Sequence, residues 1–340
     1  MKTRQIVVIT GASAGVGRAT AHAFARDGAS IALLARENEA LEDAADEVRA
    51  LGGQALALAV DVSDAEQVEA AAARIEDELG PIDVWINAAM VTIFAPVHDI
   101  RADEFRRATE VTYLGTVHGT MAALKRMRTR DHGTIVQVGS ALAYRAIPLQ
   151  AVYCGAKFAI RGFTDALRVE LMHEKSRIHI TMVQLSAFNT PQFDWARTRM
   201  SRPPQPVPPI YQPEVAARGV HWAALHRRRE LYVGFPAVKA IVGNKLVPGL
   251  ADRLLAKNAY QGQMDQHEAM PDDRPDNLEQ AVQRDYGTHG RFDNRARSYS
   301  VQLWLTTHRG IVAATAGAMA LAAACGMMRR RHRHSRDDKA

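Results

Sequence analysis

Residues 6–17 read Ile-Val-Val-Ile-Thr-Gly-Ala-Ser-Ala-Gly-Val-Gly. A short β-branched run stops at Gly11, and beyond the glycines Val16, Ala19, Ala23 and Phe24 recur at helical spacing to give one apolar face. A strand that turns through glycine directly into a helix leaves backbone N–H groups and a partial positive charge at the helix N-terminus, a natural seat for phosphate. In this spacing Gly11 permits a tight turn, Gly15 removes a side chain where a pyrophosphate approaches, and Gly17 lets the helix pack close to the strand. The stretch predicts a dinucleotide-binding βαβ unit.

Working outward, the same alternation continues. Apolar runs at 31–35, 56–60, 84–86, 134–138, 179–183 and 231–233 are separated by longer segments with helical spacing, among them 37–51 and 66–79. Ser63 and Glu66 form a capping-box pattern for the second of these. Parallel strands need crossover helices, and near-continuous apolar strands need cover on both faces. The fold class is therefore α/β: a doubly wound, Rossmann-like parallel sheet with helices on both faces, plus a C-terminal extension. The expected organisation is a catalytic domain over 1–255, an irregular and partly disordered linker over 256–310, an alanine-rich apolar helix over 311–328, and a basic tail over 329–340.

Composition narrows the function classes. The 340 residues are 47% hydrophobic and 24% charged, which excludes wholesale disorder. The formal charge of +6 is concentrated in the tail RRRHRHSRDDKA at 329–340, so the body has no field to attract nucleic acid. Two cysteines, Cys154 and Cys325, give neither a disulfide framework nor metal-ligand spacing. Cys154 reads as a small apolar filler, and the scattered histidines suggest no catalytic metal. The N-terminus lacks the long apolar segment of a signal peptide, so a cytoplasmic body is expected.

Two further sites carry chemistry. The second strand ends Leu34-Ala35-Arg36. NAD sites usually place a carboxylate there, whereas an arginine grips a 2′-phosphate with a forked, charge-assisted pair; Arg36 therefore favours NADP, with NAD as the alternative. Downstream, Tyr153 and Lys157 stand at i, i+4 and share one helix face. An ammonium near a phenol favours the phenolate and makes proton exchange with an alcohol or carbonyl feasible. Ser140, near the end of the fifth apolar run, has a hydroxyl that can steady charge on a substrate oxygen.

These residues together resemble the short-chain dehydrogenase/reductase family, non-extended type, over roughly residues 1–235: TGxxxGxG at 10–17, Asn87-Ala88-Ala89, Ser140, and YxxxK at 153–157. The resemblance implies a cofactor loop of Thr10, Gly11, Ser13, Gly15, Val16 and Gly17, and an adenine contact at Asp61 and Val62. Asn87 and Ala88 flank the cofactor, and Thr190 meets the nicotinamide carboxamide. It further implies Tyr153 as acid/base, Ser140 polarising the substrate oxygen, and Lys157 lowering the tyrosine pKa while holding the ribose. A homo-oligomer is the family's usual state. Three positions depart from the pattern. Thr112 stands where the family's fourth catalytic residue is an asparagine whose main-chain carbonyl holds a relay water. Ala89 replaces a glycine, and Leu185-Ser186 replaces Pro-Gly.

The expected activity is hydride transfer between NADP(H) and a secondary alcohol or ketone. Alternatives are an NAD-linked alcohol or lipid dehydrogenase (steroid or 3-oxoacyl) and a non-catalytic cofactor sensor, against which the intact Ser140, Tyr153 and Lys157 argue. Residues 187–215, rich in Phe, Trp, Tyr and Pro, suggest an apolar small-molecule substrate, with 141–149 as the opposite wall. Six prolines between Pro203 and Pro213 mark a loop over the strand ends. Residues 311–328 are uncharged and span about 27 Å as a helix, barely a bilayer core. Their alanine content and the Arg-rich end leave two readings: membrane contact through 311–334, or a soluble helix packed on protein.

Overall fold

The computed structural model describes residues 4–36, 39–315 and 317–319. Its main sheet has strands β1 (Ile6–Thr10), β2 (Ser30–Ala35), β3 (Gln54–Ala59), β4 (Val84–Asn87), β5 (Thr134–Ser140), β6 (His179–Leu185) and β7 (Glu230–Val233). The spatial order is β7-β6-β5-β4-β1-β2-β3 and every pairing is parallel, so the chain reverses direction of travel between β1 and β4. The doubly wound reading is confirmed. Such a switch point opens a crevice at the carboxyl ends of the strands.

Crossovers place α1 (Gly15–Arg26), α2 (Glu39–Ala50) and α7 (Pro213–Leu225) on one face. On the other lie α3 (Ala65–Glu78), α5 (Gly115–Arg130) and α6 (Ala151–His173), with α4 (Ala102–Thr109) against α6. β1 and β2 are buried at every position, as strands covered on both faces must be. The main core gathers Trp85, Ile75, Ile82 and Val68 around the sheet. A smaller cluster of Phe94, Phe193, Ile210 and Phe292 holds the loops above the strand ends.

Three local expectations change. α3 is capped by Asp64, which accepts from the N–H groups of Glu66 and Gln67, while the Ser63 hydroxyl bonds Asp61 instead. A carboxylate next to the first turn outcompetes a hydroxyl one residue earlier. On α1, Val16 and Ala23 are only partly buried, and the fully buried face includes Arg18. The third change is the largest. β7 is followed by α8 (Phe235–Leu246) and α9 (Pro248–Gly262), and the compact unit runs to Ser300 rather than 255. Residues 263–300 have few regular elements, yet Gln263, Asp265, Leu278 and Phe292 are buried. The segment is packed coil, held by side chains that a search for apolar periodicity does not register.

A separate unit begins at Val301 with a helix, Val301–Thr307. Among the described residues no helix is long and apolar enough to cross a membrane. Most of the 311–328 stretch and all of the basic tail lie outside the described residues.

Candidate active site

The strand ends surround one cavity of about 520 Å³, lined from one end by the glycine turn and Arg36 and from the other by Ser140, Tyr153 and Lys157. The glycine requirements are steric. Gly11 has φ +68°, and a Cβ there would stand 2.7 Å from the Ala89 Cα; a Cβ on Gly17 would meet the Gly11 carbonyl oxygen at 2.1 Å. The backbone therefore folds against both the helix start and the end of β4. α1 begins at Gly15 with no side-chain cap, and its first residues Gly15, Val16 and Gly17 line the cavity. Ser13, Val16, Asp61, Val62, Ala88 and Thr190 join the lining.

At the Arg36 end the chemistry is ionic. Arg36 donates through Nη2 to the Asn277 carbonyl at 2.7 Å, while its Nη1 is buried without a hydrogen-bond partner. Burial lowers its pKa and the neighbouring Arg107 adds to that, so a second anion would relieve this guanidinium. Asp61 accepts from Arg107 at 2.6 Å and from Ser63 at 2.7 Å. Burial works to raise its pKa, but these hydrogen bonds prevail and hold it below the usual carboxylate range. An orphaned cationic donor and a glycine turn at an uncapped helix start suit a phosphorylated dinucleotide.

At the other end the surroundings are dry. Ser140 ends β5, its Oγ accepts from the Leu142 N–H at 3.1 Å, and its side chain hydrogen-bonds the Tyr153 phenol. Tyr153 and Lys157 sit on the first turns of α6, with Nζ 5.5 Å from the tyrosine ring centroid. Lys157 is buried and donates to the Val138 carbonyl at 2.7 Å. Burial pushes its pKa down to about 8 and pushes Tyr153 up to about 12, against a smaller opposing effect of Ser140 on the phenol. The expected lowering of the tyrosine by its lysine is thus corrected: desolvation dominates both groups and favours the neutral phenol.

Three predicted residues do not line the cavity. Thr10 Oγ1 accepts from the N–H groups of Ala88 and Ala89 at 3.1 and 3.2 Å, tying β1 to the chain leaving β4. The Asn87 side chain is buried; it accepts from Trp85 Nε1 and donates to Thr120 and Gln137, so it is a polar hub of the core. Thr112 lies in a widened helical turn, Glu110–Leu114. Its hydroxyl donates to the Val91 carbonyl at 2.9 Å and accepts the Val91 N–H at 3.1 Å. Each of these acts on the cavity through backbone that it positions. Cys154 is buried as expected. The proline-rich loop reaches the lining through Gln205, Pro206, Val207 and Pro208.

The residues that close the Arg36 end carry no motif in the sequence. Asn277, Ala281, Val282, Arg284 and Tyr286, all from the packed coil, also line the cavity. Arg18, 1% exposed, forks onto Asp285 at 2.6 and 3.2 Å and donates to the Ser13 carbonyl. A buried arginine on an otherwise apolar helix face was the available signal, since such a cation demands a carboxylate from elsewhere.

Comparison with known proteins agrees with this geometry. Residues 5–200 match the short chain dehydrogenase family model. An uncharacterized oxidoreductase of Bacillus subtilis, YxnA, is 34% identical over 328 residues, which is 94% of this chain and 90% of that one. Mouse estradiol 17-beta-dehydrogenase 11 is 35% identical over 167 residues, covering 49% of this chain and 56% of its own. A Streptomyces avermitilis short-chain dehydrogenase structure superposes with a TM-score of 0.64 at 24% identity, over 77% of this chain and 99% of that one; at that identity it shows the fold. A parallel sheet in this order, a glycine turn at its switch point and a family match across more than half of the sequence place the chain among the short-chain dehydrogenases, NAD(P)-dependent oxidoreductases.

Proposed function

We propose that this oxidoreductase uses NADP(H) and interconverts a secondary alcohol and a ketone on an apolar, lipid-like small molecule. The observation that carries the reading is that Ser140, Tyr153 and Lys157 line the same cavity as the glycine turn and Arg36. Gly11, Ser13, Gly15, Val16 and Gly17 would hold the pyrophosphate, Arg36 the 2′-phosphate, and Asp61 with Val62 the adenine end. Thr190 and Lys157 would hold the nicotinamide end. Bound there, the nicotinamide supplies or accepts the hydride at the substrate carbon.

The protein's own part is proton and charge handling. In reduction, Tyr153 gives its phenolic proton to the carbonyl oxygen as that oxygen gains charge. Ser140 would turn its hydroxyl proton from the Tyr153 phenol to the same oxygen. A phenol held protonated by burial carries the proton to be donated throughout the neutral range. Lys157 has three donors and uses one on Val138, so it can fix a ribose hydroxyl while its charge steadies the phenolate left behind. The Thr112 carbonyl accepts from the Thr116 hydroxyl at 2.9 Å and would hold the relay water that the family's asparagine carbonyl holds.

Substrate class follows from the walls. Leu142, Ile147, Phe193, Val207 and Leu255 line the cavity, and Val207 and Leu254 are also well exposed beside it. The name of the mouse relative points to an apolar alcohol as well. Exposed Met121 and Phe158 on α5 and α6 support a homo-oligomer. The direct test is to titrate the protein and an Arg36→Ala variant with NADPH and NADH, then follow NADPH oxidation with a panel of ketones. Tighter NADPH binding that the variant loses, with turnover of an apolar ketone, is expected. Equal binding of the two dinucleotides would replace NADP by NAD, and binding without turnover of any ketone would make the protein a sensor.

A further inference from the structure

The packed coil beyond α9 lies across the part of the cavity assigned to the dinucleotide. Two buried apolar residues anchor it: Leu278 in the main core and Phe292 in the smaller cluster. Between them the chain is partly exposed, and Ala281, Val282, Arg284 and Tyr286 line the cavity. Just before Leu278, the Asn277 carbonyl accepts from Arg36, and the Leu278 carbonyl accepts from Arg107 at 3.3 Å. Farther along, Asp285 takes both terminal nitrogens of Arg18. Tyr286 packs edge-on against Trp195, with ring centroids 4.8 Å apart. The Gly287 carbonyl accepts the Gly15 N–H at 3.1 Å. That last bond uses a donor at the start of α1, where a pyrophosphate would sit.

The charges on this stretch are not evenly satisfied. Glu279 lies 3.9 Å from Arg107, and Asp285 is held by Arg18. Arg284 has its guanidinium 5.1 Å from the Tyr286 ring centroid, lines the cavity, and makes no ion pair among the described residues. A cation without an anion, one residue from the latch and three from the carbonyl on Gly15, faces a cavity that is built to take phosphates.

We propose that residues 278–292 form a strap belonging to the dinucleotide site. The strap closes over the bound cofactor, sets Arg284 against its phosphates, and must open at the Arg18–Asp285 latch before the cofactor leaves. On binding, the Gly15 N–H exchanges the Gly287 carbonyl for a phosphate oxygen, while Leu278 and Phe292 keep the strap attached at both ends. This rests on the reading of the cavity as a dinucleotide site and is independent of the preference for NADP.

The test uses the full chain with NADPH and NADH as probes. Dissociation is followed by stopped-flow displacement of nicotinamide fluorescence, and strap position by the rate of trypsin cleavage after Arg284. Asp285→Asn should raise the dissociation rate about tenfold, since it removes a charge-assisted fork from the latch. Arg284→Gln should weaken binding about tenfold and flatten its salt dependence, and Arg284→Lys should recover most of the affinity. Bound dinucleotide should slow cleavage after Arg284, an effect that a purely structural coil would not show. If wild type binds a dinucleotide but Asp285→Asn dissociates at the wild-type rate and cleavage is indifferent to ligand, the strap is refuted and the cofactor reading stands. If wild type binds neither dinucleotide, both fall. Arg284 is exposed, so its variants keep the question decidable even if Asp285→Asn fails to fold.

Discussion

The two ends of the cavity solve opposite electrostatic problems. Around Arg36 the protein concentrates charge: Arg36, Arg107 and Asp61 lie together, with Arg18 and Asp285 beside the glycine turn. Around Tyr153 it removes charge, because burial pushes the phenol up to about 12 and the lysine down to about 8. The first arrangement suits holding an anion, where ionic partners persist in every state of the reaction. The second suits moving a proton, where a group must be able to gain or lose charge at modest cost. Binding and chemistry are thus separated along one cavity, and substitutions at the two ends should have separable effects.

The sharpest break is at the dry end. Tyr153→Phe should lower turnover by roughly 10³-fold or more through loss of the proton donor, while NADPH affinity by fluorescence titration stays near wild type. Retained turnover would remove Tyr153 from the acid role. Next comes the polar hub beneath both ends. Asn87→Ala leaves Trp85 Nε1 without its acceptor and Gln137 Oε1 without its donor in the core, while Thr120 keeps the bond from Gln137 Nε2. A loss of about 2–3 kcal/mol in denaturant-unfolding stability follows from the unpaired buried groups. A change below that of an ordinary surface substitution would mean that water fills the site.

At the charged end, Arg36→Ala should cost NADPH about tenfold in affinity, about 1.4 kcal/mol, and leave NADH and the maximal rate little changed. A comparable effect comes from pH. Lys157 is a base with a depressed pKa, so its charge is present below about 8 and lost as pH rises through that value. Tyr153 stays protonated well above this range. The reductive kcat/KM of the free enzyme should therefore fall on the alkaline side of about pH 8, and Lys157→Met should show no such limb. A flat wild-type profile to pH 9 would mean that the lysine charge contributes nothing to the reaction.

What the sequence made legible follows the same physical divide. The sheet, its crossovers and the glycine turn depend on period and on short-range backbone demands, so residues 6–17 announce them without help from the rest of the chain. Ser140, Tyr153 and Lys157 were legible because strand end and helix face place them together. The Arg36 end was legible only by half. Asp285 meets Arg18 across most of the chain length, and the coil that delivers it has no apolar rhythm, only single anchors such as Leu278 and Phe292. The side-chain directions of Asn87 and Thr10 are hidden for a related reason: a polar residue at a strand end looks the same in sequence whether its side chain faces a ligand or the core.

Thr112 gives the smallest predicted effect and the finest comparison. The family places an asparagine there, and a threonine reads as a loss of function until its partners are counted. Its single hydroxyl both donates to the Val91 carbonyl and accepts the Val91 N–H. An asparagine amide also offers one acceptor and a donor, so Thr112→Asn can keep both bonds, and its main-chain carbonyl is untouched. Turnover should change by less than about threefold, within the range expected when no hydrogen bond is lost. Thr112→Val keeps the shape but leaves both Val91 groups unpaired in the interior, and should shift the helical turn that presents the carbonyl. If Thr112→Asn reduced turnover as much as Thr112→Val, the hydroxyl itself and not the backbone it fixes would be the participant in proton delivery.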